Sequence, residues 1–202
     1  MKLWTLLALF WLTTTVPASA QIAGKLKLGL DSDALSLASY DNGSGNANSE
    51  LRVGIAPPNI NGSVIGLPPF GLDVGYGVTN SLVLGAQMRF GYLNVDNGGG
   101  SSQSLYAFGL LPHVDFVILP RSAFRPYFGA LAGVLVEDGD ALVNRTLSFA
   151  SFGAEIGAFG FVGRSFSIGP RLVFTFSQGL SNAVQDTKVF AVQLQLELSG
   201  WI

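Results

Sequence analysis

Segment after segment of this chain alternates apolar side chains with polar or small ones at a period of two, and the apolar side carries no charge. In Val189 to Leu198, Phe190, Val192, Leu194, Leu196 and Leu198 share one face, while Ala191, Gln193, Gln195 and Glu197 share the other. Residues 166–177 repeat the pattern. Phe166, Ile168, Leu172, Phe174 and Phe176 lie on one side, and Ser167, Gly169, Arg171, Val173, Thr175 and Ser177 on the other. A strand with two unlike faces is the only regular element with this period, but a half-buried strand of a soluble sandwich has it too. Whether lipid or water lies outside is decided by composition, by the N-terminus and by the spacing of the segments.

Charged residues make up only 12% of the chain and hydrophobic ones 49%, with 26 glycines and 15 phenylalanines. An ordinary soluble domain is about 25% charged, so a water-facing surface here lacks its usual charge. Lys2, the apolar run Leu3 to Leu12, polar Thr13 to Thr15, Pro17 and the small-x-small sequence Ala18-Ser19-Ala20 predict a secretory signal peptide over residues 1–20. Cleavage after Ala20, with Ala18 and Ala20 as its small residues, leaves 21–202 as the mature chain. The leader's apolar run is shorter than the roughly 20 residues a helix needs to span a bilayer, and no later run reaches that length, so no helical anchor is expected. Removing Lys2 with the leader leaves 10 basic against 13 acidic side chains, a net charge of about −3, which gives no reason to expect nucleic acid as a partner. The absence of cysteine excludes disulfides, thiolate metal sites and a lipoprotein anchor.

Eight alternating segments can be placed, near 22–31, 67–78, 81–94, 104–118, 126–136, 148–162, 166–177 and 188–200. Short joints at Thr79-Asn80, Pro120 to Arg125 and Gly163 to Ser165 alternate with long ones near 32–66, 95–103, 137–147 and 178–187. This predicts an all-β fold, an eight-stranded antiparallel transmembrane up-and-down β-barrel, with both termini at the short-turn end. An even strand number closes the meander, and closure leaves no unpaired strand edge in lipid. Within the first long joint, Asp41-Asn42-Gly43-Ser44-Gly45 reads as a turn, with Ala34 to Tyr40 and Leu51 to Ile55 as candidate extensions of the flanking strands. Odd-numbered positions are expected to face inward and even-numbered ones outward, and no charge falls in the outward set. An Arg or Lys there would cost about 2–4 kcal/mol at mid-membrane. The soluble alternatives are a secreted sandwich and a lipocalin-like carrier, which would turn its apolar face inward and its charges outward.

With strands and joints placed, three stretches carry a resemblance: Asp73-Val74-Gly75-Tyr76-Gly77-Val78-Thr79-Asn80-Ser81-Leu82-Val83-Leu84-Gly85, Arg125-Pro126-Tyr127-Phe128-Gly129-Ala130, and Gly160-Phe161-Val162-Gly163-Arg164-Ser165-Phe166. Over 21–202 the chain resembles the small outer-membrane β-barrel family, the OmpA-like and OmpW-like eight-stranded barrels of Gram-negative bacteria. The resemblance implies an outer-membrane location, contact with membrane lipids and lipopolysaccharide, and insertion by the barrel-assembly machinery. Such barrels usually end in an aromatic residue, whereas this chain ends Gly200-Trp201-Ile202. No peptidoglycan-binding domain is expected after the barrel segments.

The inward charges are Lys25, Lys27, Asp73, Arg89, Asp115, Glu155, Arg171 and Glu197, nearly balanced in sign. An eight-stranded barrel has room inside for side chains and little else, so these residues are expected to form a structural ion-pair and hydrogen-bond network that fills the lumen. The sharper reading is a gate or narrow polar path. Closure is expected to set Lys25 and Lys27 beside Glu197. His113 and Asp115 suggest acid–base chemistry, and small-barrel lipid A deacylases and acyltransferases do use a histidine. Their histidine works beside a serine at the outer rim, whereas His113 faces inward nearer the turn at Pro120, so no catalytic residue is assigned. Asp31, Asp33, Asp41 and Glu50, then Asp96, then Glu137, Asp138 and Asp140, then Asp186 fall in the long joints. They are read as solvated loop charge in preference to a Ca²⁺ or Mg²⁺ site, and Arg121, Arg125 and Arg164 as headgroup or water contacts. No cofactor or metal is assigned.

These readings predict a non-enzymatic, monomeric outer-membrane barrel with a structural or interaction role, a filled lumen and surface loops. The alternative is an OmpW-like passive transporter of small or hydrophobic molecules, with Gly54, Pro57, Pro58, Pro68 and Pro69 breaking strand pairing beside a lateral opening.

Overall fold

A computed structural model describes residues 21–41, 47–53, 59–60, 63–64, 68–96, 102–139, 146–182 and 184–202. The leader, with Ala18 and Ala20, lies outside the described residues, as do Gly54, Pro57, Pro58 and Asp140. The strands are β1 (Leu26–Asp41), β2 (Ala47–Val53), β3 (Asn59–Ile60), β4 (Ser63–Val64), β5 (Phe70–Thr79), β6 (Leu82–Asp96), β7 (Ser102–Val117), β8 (Phe124–Asp138), β9 (Leu147–Phe161), β10 (Phe166–Gly179) and β11 (Lys188–Trp201). From β5 to β11 each strand pairs antiparallel with the next, and β11 closes the wall on β1, from Lys27 opposite Trp201 to Asp41 opposite Lys188. β3 and β4 form a separate two-stranded ladder.

The closed wall has eight strand positions, and its second position is shared. The near half of β1 pairs with β5, from Leu26–Tyr76 to Ser32–Phe70, and its far half with β2, from Leu35–Val53 to Asp41–Ala47. The single strand expected near 67–78 is therefore continued along β1 by a different piece of chain. A bulge between Asp33 and Leu35 sits where the partner changes. It also reverses the parity: Lys27, Asp31 and Asp33 are buried before it, Ser36 and Ala38 after it. The first strand starts later than expected, because residues 23–24 form a turn and the backbone amides of Ile22 and Ala23 donate to the Asn80 side-chain oxygen.

Elsewhere the alternation holds. Leu26, Leu28, Leu30, Phe70, Tyr76, Leu84, Phe90, Phe108, Leu110, Phe116, Phe128, Phe152, Ile156, Phe166, Phe190, Leu196 and Leu198 are all exposed, forming an apolar belt around the wall. Between the rims this face carries no Asp, Glu, Lys or Arg among the described side chains; exposed Asp138 and Lys188 stand at the outer strand ends. Tyr92 and Tyr106, with ring centroids 5.1 Å apart, stand toward the long-loop rim, and Phe116 and Phe128, 5.4 Å apart, toward the short-turn rim. Strands of 16 residues, at about 3.3 Å per residue and tilted about 40°, rise some 40 Å, well beyond an apolar band about 25 Å tall. The surplus projects past the membrane at the long-loop end. Two prolines sit inside the wall with their rings outward: Pro112 keeps its ladder to Ala86 and Pro170 to Leu196. On the opposite edge, toward β8 and β9 respectively, the pairing lapses at each proline, which has no N–H to donate.

Candidate functional site in the barrel lumen

Inward-facing side chains fill the lumen in layers. At the short-turn end Ile22, Val83, Val117, Tyr127, Phe159, Phe161 and Trp201 form an apolar plug. Tyr127 stacks on Phe159 at 4.4 Å, Phe159 meets Trp201 edge-on at 5.4 Å, and the Trp201 indole donates to Ser167 Oγ at 2.9 Å. A second apolar cluster, Leu111, Leu131, Leu135, Leu147, Phe149 and Val173, starts beside the charged residues, Leu131 opposite His113 and Val173 opposite Glu155, and extends toward the loops, where Ala38, Val189 and Ala191 form a third. On the loop side of the plug lies a belt of buried charge.

Arg171 is the hub of that belt. Its Nη2 lies 2.6 Å from Asp31 Oδ2, and its Nη1 lies 3.1 Å from Asp73 Oδ2, 3.5 Å from Glu197 Oε2 and 3.6 Å from Glu155 Oε2. Its Nε donates to Gln195 Oε1 at 3.1 Å. Lys27 Nζ bridges Glu197 Oε1 at 2.7 Å and Asp73 Oδ2 at 3.2 Å, lying 5.0 Å above the Phe159 ring at the edge of the plug. Arg89 Nη1 contacts Asp31 Oδ1 at 2.5 Å and Asp33 Oδ1 at 3.9 Å, and donates to the Pro68 carbonyl at 3.4 Å. Gln193 donates to Asp33 at 2.5 Å, Gln87 to Glu155 Oε2 at 3.2 Å, and Ser199 to Glu197. His113 Nε2 sits 3.2 Å from Asp73 Oδ1, while its Nδ1 faces Asp115 Oδ2 at 3.2 Å and Glu155 Oε1 at 3.5 Å. Glycines on neighbouring strands make the room. A Cβ on Gly85 would lie 2.4 Å from His113 Nε2, and one on Gly129 2.3 Å from Asp115 Oδ1.

The belt brings together Lys27, Asp73, Arg89, Asp115, Glu155, Arg171 and Glu197, all buried. Lys25 is not among them. It precedes β1 at the short-turn end, and its Nζ donates to the carbonyls of Arg164 and Trp201 at 3.2 and 3.4 Å, so the expected pairing with Glu197 falls to Lys27 alone. Three carboxylates assigned to loops are instead buried, at 4% exposure for Asp31 and 3% for both Asp33 and Glu137, because β1 and β8 run farther than the pattern was followed. For Asp31 and Asp33 a signal was present: they continue the odd-numbered inward series Lys27, Gly29. Arg125 is also no headgroup contact, being buried, with its guanidinium 4.3 Å from the Phe161 ring centre and its Nε donating to the Ser122 carbonyl. The belt holds six carboxylates, Asp31, Asp33, Asp73, Asp115, Glu155 and Glu197, against three permanent cations, Lys27, Arg89 and Arg171.

No protein-family model matches the chain, and no curated protein matches it by sequence. Solved structures do match. The chain is similar to Neisserial surface protein A (NspA), with a TM-score of 0.52 at 12% identity over 85% of this chain and 95% of that one. Lower similarity is found to the outer membrane protein OprG from Pseudomonas aeruginosa, with a TM-score of 0.49 at 10% identity over 92% of this chain and 99% of that one. The attachment invasion locus protein Ail of Yersinia pestis gives 0.46 at 13% over 89% and 98%. The fold is that of the small eight-stranded outer-membrane barrels, and a closed wall with an apolar exterior and a polar interior belongs in such a membrane.

Proposed function

We propose that this protein is a non-catalytic, monomeric outer-membrane barrel whose lumen is closed by its own side chains and whose work is done by the wall and the loops. The observation that carries this reading is the interior itself, a belt of buried ion pairs packed against an apolar plug at the short-turn end, with the inward side chains of both almost wholly buried. In this reading the apolar belt meets acyl chains, the loops face lipopolysaccharide and the outside, the signal peptide is removed after Ala20, and the assembly machinery inserts the chain. Cysteines placed at Asp138 and Asp186 are expected to react with an impermeant reagent in intact cells, and one at Arg164 is not; the reverse pattern contradicts the orientation. Mass spectrometry of the envelope form is expected to show Gln21 as the first residue, and retention of residues 1–20 contradicts the cleavage.

A passive transporter with a lateral exit is the second reading, favoured by one observation. Among the described residues no ladder joins β2 to β6, although they flank the far half of the wall. Beside the level where β2 gives way to β5 the outer face carries an open apolar groove lined by Leu30, Phe70, Leu72, Phe90, Leu196 and Leu198. Pro68 and Pro69 are buried there, the Pro69 carbonyl accepting from the Asp33 amide. Uptake of a small apolar solute by vesicles carrying the protein, with none of a polar solute of similar size, would favour this route. The closed-lumen reading predicts neither.

A further inference from the structure

Buried polar atoms without an aligned hydrogen bond occur at several places in the charge belt, among them Asp33 Oδ1, Arg89 Nε and Glu197 Oε2, but at one corner four of them converge. Around Arg171 and Lys27 the carboxylates have a cation within reach, but among the described residues no lysine or arginine forms an ion pair with Asp115 or with Glu155 Oε1, on β7 and β9 either side of β8. There His113 Nδ1, both oxygens of Asp115 and Glu155 Oε1 are buried and converge on one another, Nδ1 facing Asp115 Oδ2 at 3.2 Å, and none closes a well-aligned hydrogen bond. His113 is 5% exposed, and Asp115 and Glu155 are 0% exposed. One ligand atom from each residue lies within 4.8 Å of the others. Four polar atoms without aligned hydrogen bonds are unfavourable in a dry interior unless something fills the space between them.

Three features define what fills it. The spacing is the first: Nδ1 stands 3.2 Å from Asp115 Oδ2 and 3.5 Å from Glu155 Oε1, close to the roughly 3.4 Å between ligands that each lie about 2.1 Å from a tetrahedral ion. The second is the surrounding shell. The other ring nitrogen of His113, Nε2, lies 3.2 Å from Asp73 Oδ1, the carboxylate–histidine arrangement that fixes a ring with its far nitrogen free to ligate. Likewise Gln87 holds Glu155 Oε2 at 3.2 Å, leaving Oε1 turned to the corner. Charge is the third, since the belt's six carboxylates outnumber its three permanent cations, and a divalent ion offsets most of that excess.

We propose that His113, Asp115 and Glu155 form a binding site for a divalent transition-metal ion of the zinc class in the middle of the lumen. One imidazole nitrogen with two carboxylate oxygens is a donor set for zinc, cobalt or another first-row ion rather than for calcium, which takes six to eight oxygens. The ion ties β7, through His113 and Asp115, to β9, through Glu155, across the intervening β8, and leaves a fourth coordination position for a water or a further carboxylate oxygen. The three side chains are buried beside the apolar plug, so the ion enters as the barrel folds and leaves slowly afterwards.

The test folds the mature chain from denaturant into detergent micelles with Zn²⁺ or Co²⁺ present, confirms folding by the gel shift of the unheated barrel, and removes loose ion with chelator. One equivalent of Zn²⁺ per barrel is expected to remain, and the Co²⁺ form is expected to show visible absorption of a four-coordinate site. His113 is the chain's one histidine, so its imidazole proton resonances report without any variant: in the Co²⁺ form they are expected far outside the normal range. Asp115→Asn and Glu155→Gln, wherever they fold, are expected to lower retained metal at least tenfold. A folded parent barrel that holds no ion and shows unshifted histidine resonances overturns the proposal, as does an Asp115→Asn barrel that retains metal at the parent level.

Discussion

The two faces of β10 and β11 obey opposite rules within a few ångströms of each other. On the inside, Arg171 and Glu197 are buried and each contacts named partners from several strands. On the outside, Leu172, Leu194, Leu196 and Leu198 contact a solvent of acyl chains, for which any apolar side chain of similar size serves. The outer face is defined by a class of residue, the inner face by particular pairs. Substitution should therefore be tolerated outside when it stays apolar, and tolerated inside only when a partner changes with it.

The most severe test of that contrast is Arg171→Met. It leaves Asp31, Asp73, Glu155 and Glu197 without the cation they share, and removal of one partner from a buried pair costs about 3–5 kcal/mol. Urea unfolding of the barrel in lipid is expected to show a loss of that size, and adding Glu197→Gln to recover part of it; an unchanged midpoint would erase the distinction. Next comes Leu196→Arg, which places a charge on the lipid face at the level of the belt and is expected to cost about 2–4 kcal/mol in the same assay. Lys25→Met sharpens the boundary of the belt. Among the described residues its charge lies outside the network and its Nζ donates to two carbonyls, so a loss of about 1 kcal/mol is expected, and a loss as large as that of Arg171→Met would return Lys25 to the network. The smallest effect is expected from Leu194→Met, within about 0.5 kcal/mol, since the lipid face asks only for apolar surface.

The same contrast explains what could be read from sequence. Period-two alternation reports the outer face directly, because lipid excludes charge at every position. Strand number, short turns, closure and outward residues such as Phe190, Leu196 and Phe108 were therefore legible. The inward set was legible in kind but not in pairing. Lys27 and Lys25 are equivalent by parity, and only the turn at residues 23–24, which starts β1 late, separates them. The bulge between Asp33 and Leu35 reverses parity, so the pattern lost its contrast where the chain enters the longest joint, and with it Asp31 and Asp33 were assigned to solvent. The sharing of one strand position between β2 and β5 is a long-range pairing with no local signature. The cluster at His113 depends on Gly85 and Gly129 across two strand boundaries, an adjacency fixed by register and invisible along the chain.

Single-channel recording of the parent barrel in a planar bilayer tests the central claim, that paired charges and apolar layers close the lumen. The account predicts current indistinguishable from the bare membrane at moderate voltage, because side chains fill a barrel of this size. A steady, reproducible conductance in the parent, changed in size or selectivity by a folded Arg171→Met variant, would contradict it and make the belt the lining of a path.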